Sequence, residues 1–182
     1  MVLIEKTGNK LFSFFIHIFA VSKFFLRLFC REANKSYMKG KIRLTKEFRF
    51  EGAHALPNYD GLCRHIHGHS YILYVTIEGL PEQDKSSHKY GMIIDFKDLK
   101  AIVNEEILRH FDHALVLRSD SPGASELSEQ YGNVVVVDFQ PTCENLITYF
   151  AECICRRLPA DVKLYSLRLY ETATSYAEWI NE

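Results

Sequence analysis

An α+β domain is the fold class this sequence predicts, on three observations. Four segments alternate in polarity or are rich in β-branched and aromatic residues, which reads as strands. Two others repeat apolar residues at helical spacing. The order is two strands, helix, strand, helix, strand, which favours a mainly antiparallel sheet with both helices on one face.

Each element has its own warrant. In residues 41–54, Ile42, Leu44, Phe48, Phe50 and His54 share one parity, and Arg43, Thr45, Glu47, Arg49 and Glu51 share the other. Lys46 is the exception on the apolar side. His54 therefore lies on the apolar face, provided Gly52 introduces no bulge. "PNYDG" (residues 57–61) is a loop, and "SYILYVTIEG" (residues 70–79) is the second strand. A polar connection over residues 81–91 leads to a short apolar run, Met92, Ile93 and Ile94. Asp95 is placed as N-cap of a helix whose stripe is Leu99, Ile102, Val103, Ile107 and Phe111. Residues 119–133 read as an exposed loop and "VVVVDF" (residues 134–139) as a buried strand. Thr142 caps a second helix with the stripe Leu146, Ile147, Phe150, Ile154 and Leu158. The last strand, residues 163–172, places Tyr165, Leu167, Leu169 and Glu171 on one side.

The 182 residues suffice for one domain with a substantial core. Hydrophobic residues at 47% and charged residues at 25% fit a soluble folded protein, and a net charge of −1 offers no basic excess for nucleic acid. Five cysteines, at 30, 63, 143, 153 and 155, form no CxxC pair. An odd count of this kind points to a reducing, cytoplasmic setting. Residues 1–37 differ from the rest, with seven of the thirteen phenylalanines and six Lys/Arg against two Glu, so the remainder carries −5. Their apolar run, residues 11–29, is broken by His17, Lys23 and Arg27 and is short for a membrane span. It resembles a signal-peptide core or a surface helix. Free cysteines favour a third reading, in which the folded domain is residues 38–182 and residues 1–37 lie outside it.

"LCRHIHGHSY" (residues 62–71) concentrates the chemistry. His67 and His69 are two apart at the start of a strand, so their rings share a face, and Gly68 puts nothing on the other. With His54 from the neighbouring strand they supply three nitrogen ligands, leaving a fourth position open, as a catalytic zinc requires. His65 shares their parity, and spacing does not exclude it. Without a partner, a histidine on the apolar face costs about 1–3 kcal/mol. Cys63, four residues before His67, is a candidate thiolate, since a nearby cation lowers a thiol pKa. Asp112-His113 at a helix exit is a pair in which the carboxylate fixes the imidazole tautomer. Glu171, on the apolar parity of the last strand, needs donors, and a guanidine-like ring edge would present two.

"FRFEGAHAL", "CRHIHGH", "GMIIDFKDLK", "FDHALVL", "PTCENL" and "YETATSYAEW" occur in that order. With them the chain, from about Lys41 onward, resembles the 6-pyruvoyltetrahydropterin synthase / 6-carboxytetrahydropterin synthase family. The resemblance implies a T-fold that assembles through a barrel-like trimer into a hexamer with active sites between subunits. It implies His54, His67 and His69 as zinc ligands, leaving His65 aside. It also implies Cys63 as the catalytic cysteine, Asp112 and His113 as proton-relay partners, and Glu171 as the pterin anchor. Thr142 and Glu144 would line the pterin pocket. The C-x3-HGH spacing is similar to the branch that serves queuosine and deazapurine synthesis. That branch converts 7,8-dihydroneopterin triphosphate to 6-carboxytetrahydropterin with release of acetaldehyde and triphosphate. The pyruvoyl branch, which eliminates triphosphate, typically has a longer gap. "FDHALVLR" departs from the family, which usually has Leu before Asp-His and Asn soon after. Two readings outside the family are a Cys-His-Asp hydrolase, which leaves three histidines unexplained, and a zinc-stabilised assembly module without activity.

Overall fold

The computed structural model describes residues 40–182; the expectation for residues 1–37, including Cys30, lies outside them. A six-stranded mixed sheet runs in the order β4-β3-β1-β2-β5-β6. Its strands are β1 (Ile42–His54), β2 (His67–Gly79), β3 (Ala114–Arg118), β4 (Val134–Val137), β5 (Lys163–Tyr170) and β6 (Tyr176–Ile180). The β1–β2, β2–β5 and β5–β6 pairings are antiparallel, whereas β3 pairs parallel to both β1 and β4. The α+β class therefore holds, with a parallel flank on one side that strand order along the sequence does not reveal.

β1 and β2 form one uninterrupted ladder from Ile42 opposite Gly79 to His54 opposite His67. Gly52 makes no bulge; a side chain there would press on the Tyr71 ring at 3.3 Å. Alternation sends Phe48, Phe50, Tyr71, Leu73, Val75 and Ile77 to one buried face. There they meet α1 (Phe96–Val103) and α3 (Cys143–Cys155). Burying each such large side chain contributes about 1.5–3 kcal/mol. Asp95 and Thr142 cap these helices, accepting from the N–H groups of Lys97 and Asn145. α1 passes into a π-helical turn, Asn104–Leu108, and a last turn, Arg109–Phe111. Its buried residues Leu99, Val103, Ile107 and Phe111 are four apart. That spacing drifts around a 3.6-residue helix, and the wider turn restores the stripe.

Five elements differ from expectation. Residues 119–133 are not all loop: α2 (Ala124–Tyr131) lies within them. Its Ala124 and Leu127 pack with Ala55, Leu115 and Leu117, on the sheet face opposite α1 and α3. A short polar helix with only two apolar contacts and no side-chain cap carries little periodic signal. The run from Val134 forms an edge strand with Val136 exposed, because only one side of β4 is paired. In β5 the register shifts opposite Thr76 and Ile77, so Leu164 joins the core and Tyr165 turns outward beneath the Arg43 guanidinium at 3.4 Å. β5 ends at Tyr170, one residue before Glu171, and β3 and β6 were not anticipated. No helix among the described residues is long and apolar enough to cross a membrane.

Candidate metal centre

The ladder ends where the histidines begin. His54 and His67 sit directly across from one another, and His69 lies opposite Gly52. Ring centroids are 4.5 Å apart for His54–His67, 4.9 Å for His67–His69 and 5.1 Å for His54–His69. One nitrogen from each lies within 4.8 Å of the others, so the three could hold a metal ion. His54 is only 2% exposed.

Hydrogen bonding sets the direction of the lone pairs. His54 Nδ1 lies 2.6 Å from the Pro141 carbonyl and His67 Nδ1 2.8 Å from the His65 carbonyl. A carbonyl only accepts, so each Nδ1 carries the proton. Burial, the largest influence, lowers the pKa of both His54 and His69, opposed by Glu171. Both rings are therefore neutral at pH 7. With its proton on Nδ1, neutral His54 turns its Nε2 lone pair toward His67 Nε2, 3.1 Å away. His69 Nε2 is buried and has no hydrogen-bond partner. Converging lone pairs with nothing to donate to them are what a cation resolves, and second-sphere carbonyls on imidazole N–H groups are the usual support for one. The residues present fit a divalent metal.

The remaining residues are placed less uniformly. Cys63 sits half-buried on a 3₁₀ turn, Leu62–Arg64, in the loop joining the two histidine-bearing strand ends. Its carbonyl accepts from the Leu56 N–H at 3.0 Å. His65 is exposed, with Nε2 accepting from Arg64 Nε at 3.2 Å, so its ring stands apart while its carbonyl serves His67. Thr142 follows Pro141 and caps α3, and Glu144 is exposed on its first turn. The Glu171 carboxylate reaches the histidines, with Oε1 3.6 Å from His54 Nε2 and 3.8 Å from His69 Nε2.

Asp112 and His113 form a separate corner. His113 Nδ1 donates to Asp112 Oδ1 at 2.9 Å, and the same oxygen accepts the Glu51 N–H at 3.0 Å. His113 has φ of +60°, a left-handed conformation costing about 1–3 kcal/mol in a residue other than glycine. It is held there by its N–H to the Glu51 carbonyl and by Asn133 Nδ2 donating to its own carbonyl at 2.8 Å. With Glu51, His69, Ser70, Leu127, Tyr131 and Asn133 it lines a cavity of about 730 Å³. Among the described residues, no ring contact or hydrogen bond joins His113 to the three imidazoles or to Cys63. Among the described residues, Cys63, His113 and Asp112 thus do not form the hydrogen-bonded arrangement that a Cys-His-Asp hydrolase needs.

Residues 43–182 match the family model described as 6-pyruvoyl tetrahydropterin synthase. The chain belongs to that family. Among its relatives, the 6-carboxy-5,6,7,8-tetrahydropterin synthase of Haemophilus influenzae is 39% identical over 144 residues, covering 76% of this chain and 98% of the relative. The Aquifex aeolicus protein of the same name is 31% identical over 169 residues, covering 78% and 99%. Solved structures agree on the T-fold. A protein from Wolinella succinogenes superposes with a TM-score of 0.66 at 24% identity, covering 79% of this chain and all of that one. The Caenorhabditis elegans 6-pyruvoyl tetrahydropterin synthase does so with 0.57 at 21%, covering 79% and 97%.

Within this synthase family member, the altered "FDH" segment has a structural account. Phe111 is 3% exposed and packs on the rings of Phe150 at 4.9 Å and Tyr149 at 5.9 Å, filling a core position. Sequence reasoning missed Tyr71, Asn133 and the Pro141 carbonyl. Tyr71 shares the parity of His67 and His69, and that signal would have found it. The other two act through contacts between segments distant in the chain.

Proposed function

We propose that this protein is a zinc-dependent 6-carboxytetrahydropterin synthase of the cytoplasm, serving queuosine and related deazapurine synthesis. Its reaction converts 7,8-dihydroneopterin triphosphate and one water to 6-carboxytetrahydropterin with release of acetaldehyde and triphosphate. The observation that carries the reading is the convergence of one nitrogen from each of three imidazoles, in a chain 39% identical to a synthase of that name. Zinc at His54, His67 and His69 supplies Lewis acidity to the substrate's side-chain hydroxyls.

The chain's own residues do the rest. Cys63, in the loop between the two ligand-bearing strand ends, removes the proton from the acidified carbon. His113, its Nδ1–H committed to Asp112, keeps Nε2 free to accept and return a proton, and Asp112 stabilises the charged ring in between. Glu171 holds the two parallel N–H groups of the pterin ring, contributing orientation. Thr142 and Glu144 border that ring. Among the described residues no hydrogen bond or ring contact joins His113 to the imidazoles, although His69 lines the same cavity, and a homo-oligomer in which the corner of one subunit serves the metal of another fits this arrangement.

The deciding experiment incubates the zinc-loaded full chain with 7,8-dihydroneopterin triphosphate and identifies products by mass spectrometry. Acetaldehyde with a 6-carboxy product is expected. A pyruvoyl product without acetaldehyde would move the protein to the other branch, and no turnover would overturn the reading.

A further inference from the structure

Glu171 completes a set of acceptors that face one another. His54 and His67 have committed their protons to carbonyls, and His69 Nε2 is buried without a partner. Into this group Glu171 sends Oε1, 3.6 Å from His54 Nε2 and 3.8 Å from His69 Nε2. The one side-chain donor to the carboxylate among the described residues is the Tyr71 hydroxyl, at 3.4 Å. That tyrosine is 3% exposed, with its ring stacked on Phe50 at 5.0 Å, so the hydroxyl is fixed in place. The carboxylate oxygen thus faces the lone pair of His54 and the unpartnered Nε2 of His69 together, an arrangement that a cation between them satisfies.

We propose that Glu171 is a fourth ligand of the resting metal and gives up that position when substrate hydroxyls arrive. The inference rests on the metal-centre reading above. A tetrahedral site with bonds of about 2.0–2.1 Å has ligand–ligand edges of about 3.3–3.4 Å. The Glu171 separations exceed that by only a few tenths of an ångström, along the His54–His69 edge. Position in the chain suits an exchangeable ligand. Glu171 lies one residue past β5, in a turn closed by its N–H to the Ser175 carbonyl, and its side chain is 26% exposed. The three histidines belong to paired strands and stay where they are. Three neutral imidazoles leave a divalent ion at +2, and a carboxylate reduces this to +1. Its departure on substrate binding raises the pull on the substrate's oxygens when it is needed. The carboxylate is then free to take the ring N–H groups, so one side chain serves both states in turn.

Cobalt(II) in the full-length chain tests this, because its visible absorption reports coordination number and ligand type. Glu171→Gln is expected to alter the band and to weaken zinc affinity, measured against a chromophoric chelator, by at least about tenfold. Adding 7,8-dihydroneopterin, which has the ring and the hydroxyls without triphosphate, should shift the wild-type band. Circular dichroism verifies folding; if Glu171→Gln does not fold, Glu171→Asp, which withdraws the carboxylate by one methylene, is read the same way. Identical spectra and zinc affinities for wild type and variant, with His67→Ala metal-free, would overturn the inference and leave the three-histidine centre standing. A wild-type chain that takes up neither cobalt nor zinc would overturn both.

Discussion

His54 stands 2% exposed at the end of a thirteen-residue strand paired rung by rung with its neighbour. His113 has a side chain 76% exposed, on a left-handed residue between a helix and a short strand. The first is placed by regular structure and costs the backbone nothing. The second is placed by strain, held by Glu51 and Asn133 from elsewhere in the chain. The difference follows from the work proposed for each. Metal ligands need fixed mutual distances, which a β-ladder supplies. A proton carrier needs one free nitrogen facing outward, and an exposed corner supplies that.

If the two regions are independent, each can be broken without the other. The largest effect is expected from His54→Ala: a chain that binds a full equivalent of zinc should bind none, and turnover should vanish, by metal analysis and product assay. Cys63→Ala should keep its metal and lose about 10²–10⁴-fold in kcat. Asp112→Asn should fall in a similar range, since an amide oxygen still accepts the Glu51 and His113 N–H groups but no longer carries the charge that stabilises the protonated ring. Loss of zinc from either of these two variants would show that the regions are coupled. A sharper test is His113→Gly. Glycine is at ease at φ of +60°, so stability should rise by about 1 kcal/mol in urea unfolding while turnover is lost.

The smallest effect is in pH. Burial lowers the pKa of His54 and His69 in the folded chain, so the unfolded chain binds more protons once pH falls through their ordinary value of about 6.5. Stability of the metal-free protein should therefore be full above that pH and decline below it. Zinc should move the decline to lower pH, because the bound imidazoles resist protonation. Urea titrations at pH 7.5 and 5.5, with and without zinc, measure both.

The contrast also explains what could be read beforehand. Period-two alternation through Phe48, Phe50 and His54, continued by His67 and His69, is a local signal, and the ladder obeys it. Where pairing is irregular the signal fails: the extra residue at Tyr165 reverses the faces of β5 at its start, and no pattern in that strand announces it. The helix α2 and the exposure of β4 escape the pattern because a marginal helix and an edge strand owe their form to neighbours, not to their own periodicity. The His113 corner was visible only as a dipeptide. Its clamps, Glu51 and Asn133, lie 62 and 20 residues away in the chain.

The unbroken ladder also constrains how such a chain can change over generations. Losing or gaining one residue within either paired strand would turn the downstream side chains to the wrong side and scatter the imidazoles. The stretch from Ala55 to Ile66 is under no such rule, since both its ends are anchored by rungs that do not depend on its length. Insertions and deletions there reposition the sulfur while the ion's seat stays put, giving one scaffold a ready means of diverging between reactions.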